Sequence, residues 1–200
     1  MGEPHSINTE IIYKSLNKLK KTFKNKIVLI GSYDLLKDQL KLLKKKIRLN
    51  KLRNINDFKK NDKINILDIP INFSNPFRID SQETKKYILN SLILAHNLSV
   101  KKKIDGFINC PIDKKVFNKN IGVTEFLSKL NRSLGTEVMM IYNEKFAVVP
   151  LTTHIDVKKV SQFINQKKIL SKIRTLNFAY KEIFKKQPVI KVLGLNPHNG

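Results

Sequence analysis

The sequence predicts an α/β protein with a mixed sheet. Short runs rich in Ile and Val, bounded by polar residues, Gly or Pro, alternate with longer amphipathic stretches. Two of these runs are separated only by Asn143 and Glu144, a turn-prone pair that predicts an antiparallel hairpin, and so either one mixed sheet or two sheets. The length, 200 residues and 23.2 kDa, is enough for one large domain or two small ones. A chain of this size buries roughly 70% of the surface its unfolded form exposes and needs no staple.

In chain order, Glu10–Phe23 predicts a helix with Ile12, Leu16 and Leu19 on one face, and Lys26–Gly31 (KIVLIG) a strand. Through the first half of Lys37–Lys60 the leucines keep helical spacing, which predicts a helix with a solvated lysine face. Ile64–Ile69 (INILDI) reads as a strand. Ser81–Val100 reads as a helix capped by Ser81, with Glu83 in its first turn. Asp105–Cys110 (DGFINC) is a further predicted strand. After it, the polar run KKVFNKN separates two apolar segments and marks a domain boundary, giving a first α/β domain over 1–115 and a second over 116–200. Gly122–Leu127 predicts a turn entering a helix with Thr124 as its cap. Glu137–Tyr142 and Lys145–Leu151 form the predicted hairpin, Asp156–Lys185 two helices broken near Gln166, and Val189–Leu195 (VIKVLGL) a last strand. The sequence stops directly after that strand and the turn Asn196–His198, so the chain is expected to be a C-terminally truncated fragment, inactive by itself.

Composition excludes several classes. The single cysteine, Cys110, rules out a disulfide framework or a Cys-rich zinc module and points to a reducing, cytoplasmic setting. No apolar run reaches the roughly 18 residues of a bilayer span, and the opening MGEPHSINTE lacks a basic stretch followed by an apolar core, so neither a signal peptide nor a membrane partner is expected. The net charge of +23 would suit nucleic acid. Yet the excess is nearly all Lys, accompanied by abundant Asn and Ile, which is the signature of AT-rich codons. Arg, the better bidentate phosphate ligand, is confined to Arg48, Arg53, Arg78, Arg132 and Arg174. With the lysines dispersed and no aromatic stripe between them, the expectation is no nucleic acid, but a positive surface that steers small anions.

Chemistry-bearing residues cluster after predicted strands. His154, in Thr152–Thr153–His154, follows KFAVVPL, and His198, in Asn196–Pro197–His198, follows VIKVLGL. Ligands of open α/β folds bind past the carboxyl ends of strands, and neutral imidazole is the commonest metal ligand; a loop histidine bonded to backbone is the plainer alternative for either one alone. Lys114, in CPIDKK, could bind phosphate or exchange a proton if partly buried, or be one surface lysine among many. Thr124 could leave helix N–H groups for an anion, or simply cap. His5 and His96 are read as structural. The seven glycines never fall two apart, so neither a dinucleotide fingerprint nor a P-loop is present.

Taken in order, GEPHSINTEII, NCPIDKK, GVTEFL, EVMMIY, VVPLTTHIDVKKV and VIKVLGLNPHNG resemble the 4-hydroxythreonine-4-phosphate dehydrogenase family of pyridoxal phosphate biosynthesis, over nearly the whole chain. LGLNPH downstream of TTH is the most specific part. The resemblance implies a two-domain α/β/α architecture like that of isocitrate and isopropylmalate dehydrogenases, NAD bound without the glycine fingerprint, and a homodimer whose site lies in a cleft completed across the subunit interface. It also implies that His154 and His198 are two of three ligands of a divalent cation (Zn, Mg or Co), the third lying in a Tyr-His-Asp segment beyond Gly200. Lys114 then matches a catalytic lysine and Thr124 a substrate-binding threonine. Two departures stand out. Val123 replaces the family's histidine before that threonine, and His5, Ser6, Asn8 and Thr9 replace the small residues of its opening loop. The implied reaction is NAD-dependent oxidation and decarboxylation of 4-phosphooxy-L-threonine to 3-amino-2-oxopropyl phosphate. Val123 motivates an alternative, a related dehydrogenase acting on another hydroxy acid. The charge motivates a remoter one, a non-catalytic basic nucleic-acid-binding protein.

Overall fold

In the computed structural model the described residues are 2–60, 62–117, 122–133, 135–153 and 155–196. The chain divides into two compact units, Met1–Val123 and Thr124–Gly200, so the division falls at Val123 rather than Lys115. Val116 and Phe117, expected in the second domain, are buried and belong to the first unit.

The first unit is built on a parallel sheet of three strands, β1 (Val28–Gly31), β2 (Leu49–Leu52) and β3 (Ile64–Asp68), in the order β1-β3-β2. The central strand β3 is buried along Ile64, Asn65, Ile66 and Leu67, as a strand covered on both faces must be. Its alternation fills two layers. Ile64 and Ile66 pack with Leu29 against Ile12 and Leu16 of α1 (Asn8–Lys18) and Leu36 and Leu40 of α3 (Tyr33–Leu42). Leu67 packs with Val28, Ile30 and Leu52 against Leu94 and Leu98 of α4 (Ser81–Val100). Asn65, the one polar member of β3's buried run, donates to the Lys59 carbonyl at 3.0 Å and accepts from the Asn50 amide at 2.8 Å, so its burial leaves no unmet group on that side chain.

Several expectations are corrected. The predicted first helix is two pieces, α1 and the short α2 (Lys21–Lys24). The lysine-rich stretch is helical only in its first half. Its second half supplies β2, where Leu49 faces one layer and Leu52 the other, with Lys51 outward on an edge strand. The helix cap at the start of α4 is Asp80, not Ser81: its carboxylate accepts from the Gln82 and Glu83 N–H groups at 2.8 and 3.1 Å. Asp105–Cys110 is not a strand. It joins no ladder, and Ile108 is 98% exposed.

The second unit carries α5 (Val123–Leu130, which begins at the division), a two-stranded antiparallel ladder of β4 (Ile141–Tyr142) and β5 (Ala147–Val148), α6 (Val160–Phe163) and α7 (Gln166–Phe184). The hairpin is real but smaller than predicted, with Asn143–Phe146 closing it through the Asn143 N–H to Phe146 carbonyl bond. The expected mixed sheet is therefore two separate sheets among the described residues, one all-parallel and one antiparallel. Helices break near Gln166 as predicted, with Asn165 capping α7. Val189–Leu195 forms no strand; Val189 and Leu193 are each 88% exposed. An apolar sequence becomes a strand only where a neighbour accepts its backbone groups, and no described segment lies alongside to do so.

Candidate active site

The carboxyl end of the parallel sheet gathers charge. Past β1, Ser32 caps α3: its hydroxyl accepts from Leu35 N–H at 3.2 Å, while its own N–H donates to the Tyr87 hydroxyl of α4 at 3.1 Å. The next N–H, of Tyr33, donates to Asp68 Oδ1 at 2.8 Å, at the end of β3. Asp68 Oδ2 meets Lys51 Nζ at 3.0 Å, and the same ammonium reaches Asp34 at 3.2 Å. Those two carboxylates, by accepting hydrogen bonds, hold the Lys51 ammonium above the ordinary lysine range. Burial above all pushes the Tyr87 phenol up to about 12, which keeps it a neutral donor and acceptor. Beyond β3, Pro70, Ile71 and Asn72 face Glu83, Lys86, Tyr87 and Asn90 of α4 across a cleft of about 190 Å³. The sequence signal for this cluster was Ser-x-Asp directly after one strand and Asp at the end of another, which the reading of motifs passed over.

The opening loop is the second organised region. Gly2 packs so closely on the Cys110–Pro111 backbone that a Cβ there would lie 2.5 Å from the Pro111 oxygen and 2.8 Å from Cys110 Cβ. The Pro111 carbonyl accepts from Glu3 N–H at 3.2 Å and from Asn8 Nδ2 at 2.9 Å. His5, read as a loop histidine, instead makes a side-chain bond of 3.1 Å with Thr84 Oγ1. Gln39 donates to the Pro4 and Pro76 carbonyls at 2.9 and 2.7 Å and accepts from the Thr9 hydroxyl. Burial raises the Glu3 carboxyl, opposed by the charge of His5.

Lys114 stands three residues past Pro111, in a single 3₁₀ turn (Lys114–Val116) capped by Asp113, whose carboxylate accepts from Lys115 N–H at 2.9 Å. Its side chain is exposed, not partly buried, which leaves the ammonium open to an anion. Val123 and Thr124 open α5. Thr124 lies within the first turn and is exposed, so it is not the cap the sequence suggested. His154 and His198 lie outside the described residues. Among the described residues no group of three or more His, Cys, Asp and Glu side chains is placed to hold a metal ion.

Comparison with known proteins adds the following. The family model for the pyridoxal phosphate biosynthetic protein PdxA matches residues 23–200. A 4-hydroxythreonine-4-phosphate dehydrogenase of Sulfurihydrogenibium is 34% identical over 99% of this chain, and one of Aquifex aeolicus is 33% identical over 100%. In both cases the chain spans 62% of the relative's length. A solved Salmonella typhimurium structure, described as a candidate 4-hydroxythreonine-4-phosphate dehydrogenase, matches in fold over the whole chain and 64% of its own, with a TM-score of 0.86 at 22% identity.

Proposed function

The chain belongs to the PdxA family, and from that premise we propose that its protein oxidises 4-phosphooxy-L-threonine with NAD and releases carbon dioxide to give 3-amino-2-oxopropyl phosphate, as a step towards pyridoxal phosphate. The observation that carries this reading is the family match along residues 23–200, coupled with the order of the loops NCPIDKK, GVTEFL, TTH and LGLNPH in one chain. We further propose a cytoplasmic homodimer of two-domain subunits, of the isocitrate dehydrogenase type, as the working form; no described helix is long and apolar enough to cross a membrane.

The donors for a divalent cation are His154 and His198, with a third histidine expected further along the protein; imidazole donors suit such a cation, and no described cluster competes with them. When bound, the cation would supply Lewis acidity at the substrate hydroxyl and NAD would accept the hydride. The chain's own residues bind and orient. The exposed Lys114 ammonium pairs with a substrate anion, and the Thr124 hydroxyl donates to phosphate from the first turn of α5, where the helix N-terminus also favours negative charge. Val123 can do neither, so substrate is held here without the imidazole at that position.

Replacing His154 by Ala in the full-length protein abolishes metal-dependent NADH formation, read by the absorbance of the reduced nicotinamide; unchanged turnover refutes the metal assignment. The second reading, a related phosphorylated or carboxylated hydroxy acid, is favoured by Val123. A substrate panel with and without phosphate decides between them.

A further inference from the structure

We propose that Asn8 is a positioning residue that clamps the Cys110–Asp113 segment and thereby sets the place of Lys114. The inference rests on the role proposed above for Lys114. Asn8 opens α1 and is only 4% exposed. Its amide donates twice, to the Glu3 carbonyl at 3.2 Å and to the Pro111 carbonyl at 2.9 Å, so one side chain ties the opening loop to a segment about a hundred residues away. Asn8 Oδ1 is buried without a hydrogen-bond partner among the described residues, which means the amide is committed to its donor side.

The contact is continuous with backbone packing. Gly2 touches Cys110 and Pro111 at a distance that admits no side chain, and Glu3 N–H supplies a second donor to Pro111. On the other side of the loop, Ser6 Oγ accepts from Asn8 N–H at 3.2 Å and donates to the Glu3 carbonyl at 2.8 Å, which fixes Asn8 from its own backbone. Pro111 has a fixed φ, and Asp113 caps the 3₁₀ turn that begins at Lys114. Only Ile112 and Asp113 stand between the clamped carbonyl and the lysine. A glycine at position 8 could make none of these side-chain bonds, so the clamp belongs to the asparagine and not to the loop's backbone alone.

Cys110, the chain's single cysteine, adjoins the clamped carbonyl and is half-buried, which makes it a built-in reporter. The experiment measures the rate of Cys110 labelling by an aromatic disulfide in the full-length protein, read on the Cys110-bearing peptide by mass spectrometry, for the parent, Asn8→Ala, Asn8→Gly, and Leu40→Ala as a core variant of lowered stability that touches neither segment. Labelling roughly fivefold faster in both Asn8 variants, and faster than in Leu40→Ala at equal global stability, supports the clamp; the factor is that of one ordinary hydrogen bond. Equal labelling in Asn8→Ala and Leu40→Ala overturns it. In the same preparations, a higher KM for the phosphorylated substrate at unchanged metal affinity supports the link to Lys114, and an unchanged KM and kcat overturns that link. A parent protein with no dehydrogenase turnover refutes the function proposed above instead, and the labelling comparison still decides the clamp.

Discussion

The Tyr87 hydroxyl accepts the N–H of Ser32 in a site where neither group meets water, and the consequence is measurable in two ways. Tyr87→Phe keeps the ring and orphans the donor, so it costs about 1–3 kcal/mol in chemical denaturation. The pH profile has a definite sign. A phenol raised from 10.0 to about 12 contributes its stability in full below pH 10 and loses it as pH climbs through about 12, because the unfolded chain ionises first. Alkaline unfolding between those limits is steeper in the parent than in Tyr87→Phe. Glu3 carries the same sign at lower pH. Its carboxyl is raised by burial, so ionising it at neutral pH opposes folding, and Glu3→Gln gains relative to the parent as pH rises out of the carboxylate range. Asp80 has the opposite sign. Held below the ordinary range by the Glu83 and Gln82 N–H groups, it supports α4 above that range and loses hold as pH falls through its own lowered value.

For elements, the strand β3 and its caps matter most. Ile66 is fully buried between α1, α3 and the sheet, and Ile66→Ala lowers unfolding stability by about 2–5 kcal/mol, read by urea titration of the tertiary signal. Ser32→Ala removes the α3 cap, the bond its hydroxyl accepts from Leu35 N–H, for about 1 kcal/mol. Helices were legible because their signal is local. The bounds of α4 follow from its apolar face, and the break before Gln166 from the run of residues there. Strands were not. KIVLIG and INILDI pair with each other and became β1 and β3, but DGFINC and VIKVLGL, which also carry short apolar runs, form no ladder, and β2 hid inside a lysine-rich stretch where its neighbours decided the outcome.

Over the whole molecule, the dominant compositional feature is charge. A net charge of +23 over 200 residues creates a positive field that attracts small anions, the class to which the substrate proposed above belongs. In the full-length protein, kcat/KM for such a substrate falls as ionic strength rises from about 0.01 to 0.15 M, while kcat holds, because the screening length shrinks from about 30 to 8 Å. A flat salt profile refutes steering.

By itself the sequence determined the α/β class, the principal helices, the hairpin, and the family, because apolar periodicity and short motifs are written in contiguous residues. Only the tertiary structure decided which apolar runs became strands, that Lys114 is exposed, that Lys51 joins the carboxylate ending β3 to one in the first turn of α3, and that Asn8 reaches Pro111. Each of those depends on a partner far away in the chain, and a hydrogen bond or a ladder exists only once folding has brought that partner within about 3 Å.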